Sequence, residues 1–112
     1  MTSEFVHLHN HSDYSLLDGA QRIDQLVNTI DDLNMDSVAL TEHGNMFSVL
    51  PYYKQAKKAG IKPIIGCEIY VAVGSRFEKK ARSDGGWGNN HLILLAQNFT
   101  GYRLSLIHIS EP

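Results

Sequence analysis

The sequence contains a single cysteine, carries little net charge and has no long apolar run. The 112 residues include a single cysteine, Cys67, so no disulfide can form within the chain and a reducing compartment is favoured. A net charge of −2 provides no basic field, which argues against this segment alone binding a nucleic-acid backbone. No apolar run could span a bilayer, and no charged-then-apolar leader opens the chain. We therefore expect a cytoplasmic chain with no membrane partner.

The overall composition is that of an ordinary globular protein. Apolar residues make up 43% of the chain, enough for one small domain with its own core. The local basic residues are expected to be solvated surface groups rather than a track for phosphates: Lys54, Lys57, Lys58, Lys62, Arg76, Lys79, Lys80 and Arg82.

Apolar periodicity predicts two helices in the first half of the chain. Residues 23–33 carry apolar side chains at three- and four-residue intervals, which predicts an amphipathic helix ended by Asn34. A second helix is predicted over residues 47–59, with Pro51 in its first turns and Gly60 as its stop.

Short apolar stretches between the helices predict strands. The first, at residues 5–6, runs out into a polar loop, and the next two lie at residues 37–40 and 61–65. Residues 69–73 either continue the third strand or form a fourth. Strand alternating with helix is typical of right-handed parallel βα units.

The second half of the chain is less regular. Residues 74–90, which include Trp87, are rich in Gly, Ser, Lys, Arg and Asp and predict a mobile excursion. A further buried strand is predicted at residues 91–96, with a histidine at its start. A turn at residues 98–101 should then lead into another helix.

Imidazoles and carboxylates follow the predicted strand ends. On a strand, residues two apart share a face, so His7 and His9 have the spacing of two ligands for one ion. His11 would share that face if the strand continued, but the polar residues after it favour a loop. Asp18, in a turn with Gly19, can bring a carboxylate back to the same place.

Six side chains form the candidate set of metal ligands: His7, His9, Asp18, His43, Glu68 and His91. In a parallel βα sheet the carboxyl ends of the strands gather on one rim, so these groups are expected to meet there. Imidazole with carboxylate suits zinc or manganese, and the lack of paired cysteines argues against a structural zinc site. Two or three close ions indicate metal-assisted phosphoester hydrolysis.

Each candidate also has a purely structural interpretation. His7 and His9 can be polar residues at a strand end, and His43 can be an ordinary turn histidine. Glu68 lies in an apolar run, where a buried carboxylate needs a partner. Cys67 is interpreted as a small core residue rather than a redox group.

Taken in order, four motifs resemble the metal motifs of the polymerase-and-histidinol-phosphatase (PHP) domain. They are His7-Leu8-His9 with Asp18-Gly19, Thr41-Glu42-His43-Gly44, Gly66-Cys67-Glu68 and His91-Leu92. Residues 5–9, 14–19 and 59–66 are similar in sequence to the N-terminus of the alpha subunits of bacterial replicative DNA polymerase III, and residues 101–103 fit the segment that follows there. The resemblance covers about residues 4–103.

The resemblance implies an α/β fold: a partial, distorted (βα)7 barrel of PHP type, truncated after about the first half. It implies a cluster of up to three divalent ions, zinc or manganese with magnesium as a further candidate. The six candidate ligands would hold them, with no catalytic residue separable from the ligands. Glu42 departs from the family pattern, in which Asp commonly precedes the histidine, and this leaves any supporting role of its longer side chain open.

The function implied is that of an N-terminal fragment of a replicative DNA-directed DNA polymerase, whose PHP portion hydrolyses phosphoesters as a 3′–5′ exonuclease does. The fragment alone is expected to be inactive. Its partners would be DNA, through the full-length polymerase, and the clamp and proofreading subunits of the holoenzyme. Two alternatives stay open: a non-catalytic, metal-stabilised scaffold, and a stand-alone PHP phosphoesterase such as histidinol phosphatase.

Residues 1–103 are accordingly expected to be the incomplete N-terminal part of a PHP domain. Residues 104–112 do not continue the family pattern and look like the translation of a transposon-end adapter used in sequencing libraries. We therefore expect a non-native tail, and His108 is not counted as a ligand.

Overall fold

The chain folds as a mixed α/β structure. A computed structural model describes residues 4–16, 18–75, 77 and 89–110. Its elements in chain order are α1 (Ile23–Asp32), β1 (Ser37–His43), α2 (Val49–Lys58), β2 (Lys62–Ala72), β3 (Asn89–Leu95) and α3 (Phe99–Ser110). The strands form one sheet in the order β1-β2-β3, in which β1 is parallel to β2 and β3 is antiparallel to β2.

None of the helices in the described ranges combines the length and apolarity that crossing a membrane requires.

The first helix confirms the predicted periodicity. Four residues of the apolar stripe are buried: Ile23, Leu26, Val27 and Ile30. The fifth, Leu33, lies beyond the helix and is 58% exposed, so it is not part of the stripe. Asn34 adopts φ 56°, a left-handed conformation that ends the helix where the sequence predicted.

The second helix starts two residues later than predicted, at Val49, with Pro51 in its first turn. Gly60 has φ 75° and marks the stop, as predicted. Tyr52 is fully buried and its hydroxyl donates a hydrogen bond to the carbonyl oxygen of Val38, which ties α2 to β1.

The core lies between the two helices and one face of the β1–β2 pair. Its buried members are Ile23, Leu26, Val27, Ile30, Met35, Val38, Leu40, Tyr52, Ala56 and Ile61. Val38 and Leu40 alternate along β1 with Thr41 and His43, so the latter two belong to the face turned away from the helices. That second face carries the candidate ligands.

The third predicted strand continues without a break through residues 69–72, so the first of the two interpretations is confirmed. Residues 62–68 pair with β1 and residues 66–72 pair with β3. Among the described strands, only residues 66–68 of β2 therefore pair with a strand on both sides. A Cβ atom on Gly66 would lie 2.6 Å from the carbonyl oxygen of Leu94, so glycine permits this close approach.

The opening strand predicted at residues 5–6 is not present as a strand. Residues 7–10 instead run in irregular form along the free edge of β1, where His7 O accepts from Ala39 N at 2.9 Å and Asn10 O accepts from Thr41 N at 2.8 Å. The three residues from His7 to Asn10 therefore span the same length as the two residues from Ala39 to Thr41 in β1. The extra residue breaks the two-residue period that was expected to place His7 and His9 on one face.

The strand predicted at residues 91–96 is correct in place but wrong in burial. It begins at Asn89, so His91 is its third residue, and Leu92, Leu94 and Leu95 are each more than 40% exposed. Its antiparallel pairing also departs from the βα repeat, because no helix intervenes between β2 and β3 among the described residues.

The last helix begins at Phe99 and absorbs most of the turn predicted at residues 98–101. Most of the predicted excursion lies outside the described residues, and with it Trp87 and the basic residues Arg76, Lys79, Lys80 and Arg82.

Candidate metal centre

The carboxylate of Glu68 is the centre of the candidate site. Its side chain is 5% exposed and four imidazoles surround it. Glu68 Oε1 lies 3.1 Å from His91 Nδ1 and 3.6 Å from His9 Nε2. Glu68 Oε2 lies 2.7 Å from His43 Nδ1 and 3.1 Å from His11 Nε2. Four nitrogen donors thus converge on one buried carboxylate.

Sheet register brings three of these side chains together. His43, the last residue of β1, pairs directly with Glu68 on the parallel strand β2. His91 pairs with Tyr70, two residues beyond Glu68, which makes Glu68 and His91 diagonal neighbours across the antiparallel pair. Glu68 therefore lies inside its strand rather than at the expected strand end, since β2 extends four residues further.

The remaining donors come from the irregular segment before α1. His9 Nε2 and His11 Nε2 are 3.1 Å apart, and the rings of His11 and His43 stack with centroids 4.0 Å apart. Asp18 Oδ2 lies 2.6 Å from His43 Nε2. Each nitrogen of His43 thus faces a carboxylate, so this ring cannot turn over without losing a contact.

Three groups of donors have the spacing of metal sites, with ligand atoms within 4.8 Å of one another. They are His9 with His11 and Glu68, His11 with Asp18 and His43, and His43 with Glu68 and His91. Glu68, His11 and His43 each belong to two groups. A carboxylate with two oxygen atoms is suited to such sharing.

Five of the six predicted ligands are brought together, while His7 lies in none of the three groups found among the described residues. Its exposed ring makes an edge contact with Phe5, with centroids 4.8 Å apart. His11, which the sequence placed in a loop and did not include among the ligands, is the sixth member of the cluster. Spacing alone could not separate His7 from His11, because His9 is two residues from both.

The hydrogen bonding of the cluster fits cation ligands. Three buried atoms have no hydrogen-bond partner among the described residues: His11 Nδ1, His43 Nδ1 and Glu68 Oε2. His43 Nδ1 and Glu68 Oε2 are 2.7 Å apart, which is a hydrogen-bond distance, but their relative orientation is not that of a hydrogen bond. Donor atoms that crowd together without hydrogen bonds are expected where their lone pairs point at a shared ion, and imidazoles with carboxylates suit zinc or manganese.

Burial lowers the pKa of His11, and the neighbouring His43 lowers it further, while Glu68 and Asp18 act in the opposite direction. The lowered pKa favours the neutral imidazole at pH 7, which is the form that binds metal ions.

Comparison with known proteins identifies similar sequences over nearly the whole chain. A family model for the PHP domain matches residues 7–111. DNA polymerase III subunit alpha of Borreliella burgdorferi is 54% identical over 110 residues, covering 96% of this chain and 10% of that protein. The Thermus aquaticus protein of the same name is 44% identical over 102 residues, covering 89% of this chain and 8% of that protein. The chain spans about a tenth of the length of the curated relatives it matches.

Two solved structures share the fold. An amidohydrolase from Chromobacterium violaceum, with bound sulfate and no metal, gives a TM-score of 0.60 at 22% identity and covers 81% of this chain and 27% of that one. A candidate metal-dependent phosphoesterase from Bifidobacterium adolescentis gives 0.61 at 17% identity, covering 93% and 33%.

Proposed function

The chain belongs to the PHP domain family, and from this premise we propose that its cluster binds two or three divalent cations and serves phosphoester hydrolysis at DNA 3′ ends. The observation that carries the proposal is the buried carboxylate of Glu68 among four imidazoles. The proposed ligands are His9, His11, Asp18, His43, Glu68 and His91, so that His11 takes the place first given to His7. Zinc or manganese is proposed, with magnesium as a further candidate.

Divalent ions at such a centre would supply Lewis-acid activation of a phosphoryl group and of water. The chain's own contribution is geometric and electrostatic. Glu68 balances positive charge at the middle of the cluster, and His43 is held between Asp18 and Glu68 by contacts of 2.6 and 2.7 Å. Substrate would approach from the side of His9 and His91, whose side chains are about half exposed.

The proposal extends to the parent protein. Relatives named DNA polymerase III subunit alpha support a chain that forms the start of a replicative polymerase, acting in the bacterial cytoplasm with DNA, the clamp and the proofreading subunit as partners. The three-stranded sheet is proposed to be part of a distorted (βα)7 barrel. What supports this is the similarity to structures of which the chain covers 27% and 33%.

Residues 1–103 are proposed to be native PHP sequence and residues 104–112 a non-native tail. What supports this is that residues 104–112 do not continue the family pattern. The family match runs on to residue 111. Reading the genomic DNA across codon 104 tests the proposal, and an unbroken native frame through codon 112 would overturn it.

Two measurements test the function. The 112-residue chain, freed of metal and titrated with Zn²⁺ or Mn²⁺, is expected to bind at least two ions per chain by elemental analysis. The parent polymerase is expected to release nucleotides from 5′-labelled single-stranded DNA in a metal-dependent manner, and its His9→Ala variant should lose most of that release. Asp31→Asn, a change on the solvent side of α1, serves as the matched control.

Equal release by the parent and the His9→Ala variant would overturn the hydrolytic function. If metal binding persisted in that case, the centre would stabilise a scaffold for the polymerase and its proofreading partner. Failure of the chain to bind any ion would overturn the proposal as a whole.

A further inference from the structure

A second buried carboxylate lies next to the cluster without belonging to it. Glu42, the residue before His43, is 1% exposed. Its Oε1 accepts hydrogen bonds from Ser12 N at 2.7 Å and Ser15 Oγ at 2.9 Å, and its Oε2 accepts from Ser12 Oγ. Ser12 and Ser15 are themselves buried. A carboxylate that receives three donors in the interior is well compensated for its loss of water.

The same two serines connect the segments that carry the proposed ligands. Ser15 Oγ accepts a hydrogen bond from the backbone N–H of His43 at 3.0 Å, so one hydroxyl joins β1 to the loop. Ser15 O accepts from Asp18 N at 3.2 Å, which fixes the turn that carries this carboxylate. Ser12 directly follows His11. The network therefore ties the loop bearing His11 and Asp18 to the strand end bearing His43.

The loop closes tightly around this network. A Cβ atom on Gly19 would lie 1.8 Å from the carbonyl oxygen of Ser12, so the two ends of the loop are in backbone contact. The described residues of this loop, 12–16 and 18–19, form turns and bends without a helix or a strand. Backbone hydrogen bonds within the loop hold its turns, and the three hydrogen bonds that Glu42 accepts from Ser12 and Ser15 attach the loop to β1.

The alternation of β1 explains why Glu42 takes this role. Glu42 and His43 project to opposite faces of the strand, so Glu42 shares the helix-facing side with Leu40. It cannot join the ligands around Glu68 from there. The side chain reaches the buried serines of the loop instead.

We infer that Glu42 is a positioning residue of the metal centre, which sets the placement of His11 and Asp18 relative to His43 through Ser12 and Ser15. The inference rests on the proposed function in that the cluster must bind cations. It assigns a task to Glu42, where the sequence departs from the common family pattern.

Two variants test this role. Glu42→Gln keeps the shape and removes the charge, while Ser15→Ala keeps the carboxylate and removes its link to His43. Each is expected to lower the Zn²⁺ affinity of the chain roughly 10–100-fold, the usual effect of losing a group that orients metal ligands. Affinity is measured by competition with a chromogenic chelator, and circular dichroism of the metal-free protein gives the folded fraction. In Ser15→Ala the amide of His43 should also exchange faster with solvent.

Ser37→Ala is the matched control, because Ser37 is a buried serine at the opposite end of β1, bonded to Asp36. Its Zn²⁺ affinity should stay within twofold of the parent. If Glu42→Gln does not fold, Ser15→Ala and Ser12→Ala decide the question. Parental affinity in the folded variants, or an equal loss in Ser37→Ala, would overturn the inference while leaving the proposed function intact. A parent chain that binds none of Zn²⁺, Mn²⁺ and Mg²⁺ would overturn both.

Discussion

Glu42 on β1 and Glu68 on β2 are both buried carboxylates, yet their surroundings differ. Glu42 accepts three aligned hydrogen bonds from two serines. Glu68 lies within 3.6 Å of four imidazoles, and its Oε2 accepts no hydrogen bond from the described residues. Both carboxylates are buried, but only Glu42 has hydrogen bonds from the described residues to both of its oxygen atoms. An incompletely satisfied buried anion has capacity for cations, whereas a satisfied one organises the chain around itself.

The largest expected effect comes from replacing Glu68, the less satisfied of the two carboxylates. Glu68→Gln leaves the strand pairing intact but removes the charge shared by two donor groups. We expect the affinity for Zn²⁺ to fall more than about 100-fold, beyond the loss expected for Glu42→Gln. Elemental analysis after gel filtration measures the ions retained. Two or more ions still bound by Glu68→Gln would contradict the assignment of Glu68 as a ligand.

Removal of metal should lower the stability of the folded chain. With free cation at 100 times its Kd, binding stabilises the folded chain by about 2.7 kcal/mol, which raises Tm by roughly 10–20 °C for a domain of this size. A chelator should reverse the rise. Thermal unfolding followed by circular dichroism measures both steps, and Glu68→Gln should show a smaller rise, because only the group of His11, Asp18 and His43 does not include Glu68. Identical melting with and without cation would argue against a site of useful affinity.

Replacing His7 and His11, which lie two residues before and after His9, tests which of them is a ligand. His11→Ala should lower Zn²⁺ affinity at least tenfold, because His11 lies 3.1 Å from Glu68 and belongs to two donor groups. His7→Ala decides between the two proposed sets. A change within twofold supports the set with His11, whereas a loss as large as that of His11→Ala would restore His7 as a ligand. The same competition with a chromogenic chelator measures both variants.

A smaller effect is expected on the helix side of β1, the strand that carries Glu42. Tyr52→Phe removes the buried hydrogen bond to Val38 O and should cost about 1–2 kcal/mol of unfolding free energy. The matched change Tyr53→Phe, at a residue 46% exposed, should stay within about 0.5 kcal/mol. Urea unfolding of the metal-free chain measures both. Equal losses in the two variants would show that the buried hydroxyl does not anchor the strand.

Sequence patterns predicted the packed half of the fold well and its edges poorly. Periodicity located α1, α2 and β1 because each of them buries an apolar face against the others. For β3 the apolar run was visible but its neighbours were not, and its leucines are exposed because no described element covers them. Periodicity reports which residues are apolar and leaves open what packs against them.

The same limit explains the candidate site. Residue type identified His43, Glu68 and His91, and sheet register brings them together. The choice between His7 and His11 depended on one extra residue opposite β1, and such a local irregularity leaves no mark in a two-residue period. The role of Glu42 depended on serines some thirty positions away, which only the folded chain brings near.

The short overlap on β2 has a consequence for how the centre survives fluctuations. Residues 66–68 pair with β1 on one side and with β3 on the other, so Glu68 belongs to two ladders at once. When either outer strand frays, the carboxylate keeps one intact neighbour, and its backbone amide should be among the slowest to exchange. Glu68 should therefore keep its position while the ends of β1 and β3, which carry His43 and His91, open and re-form.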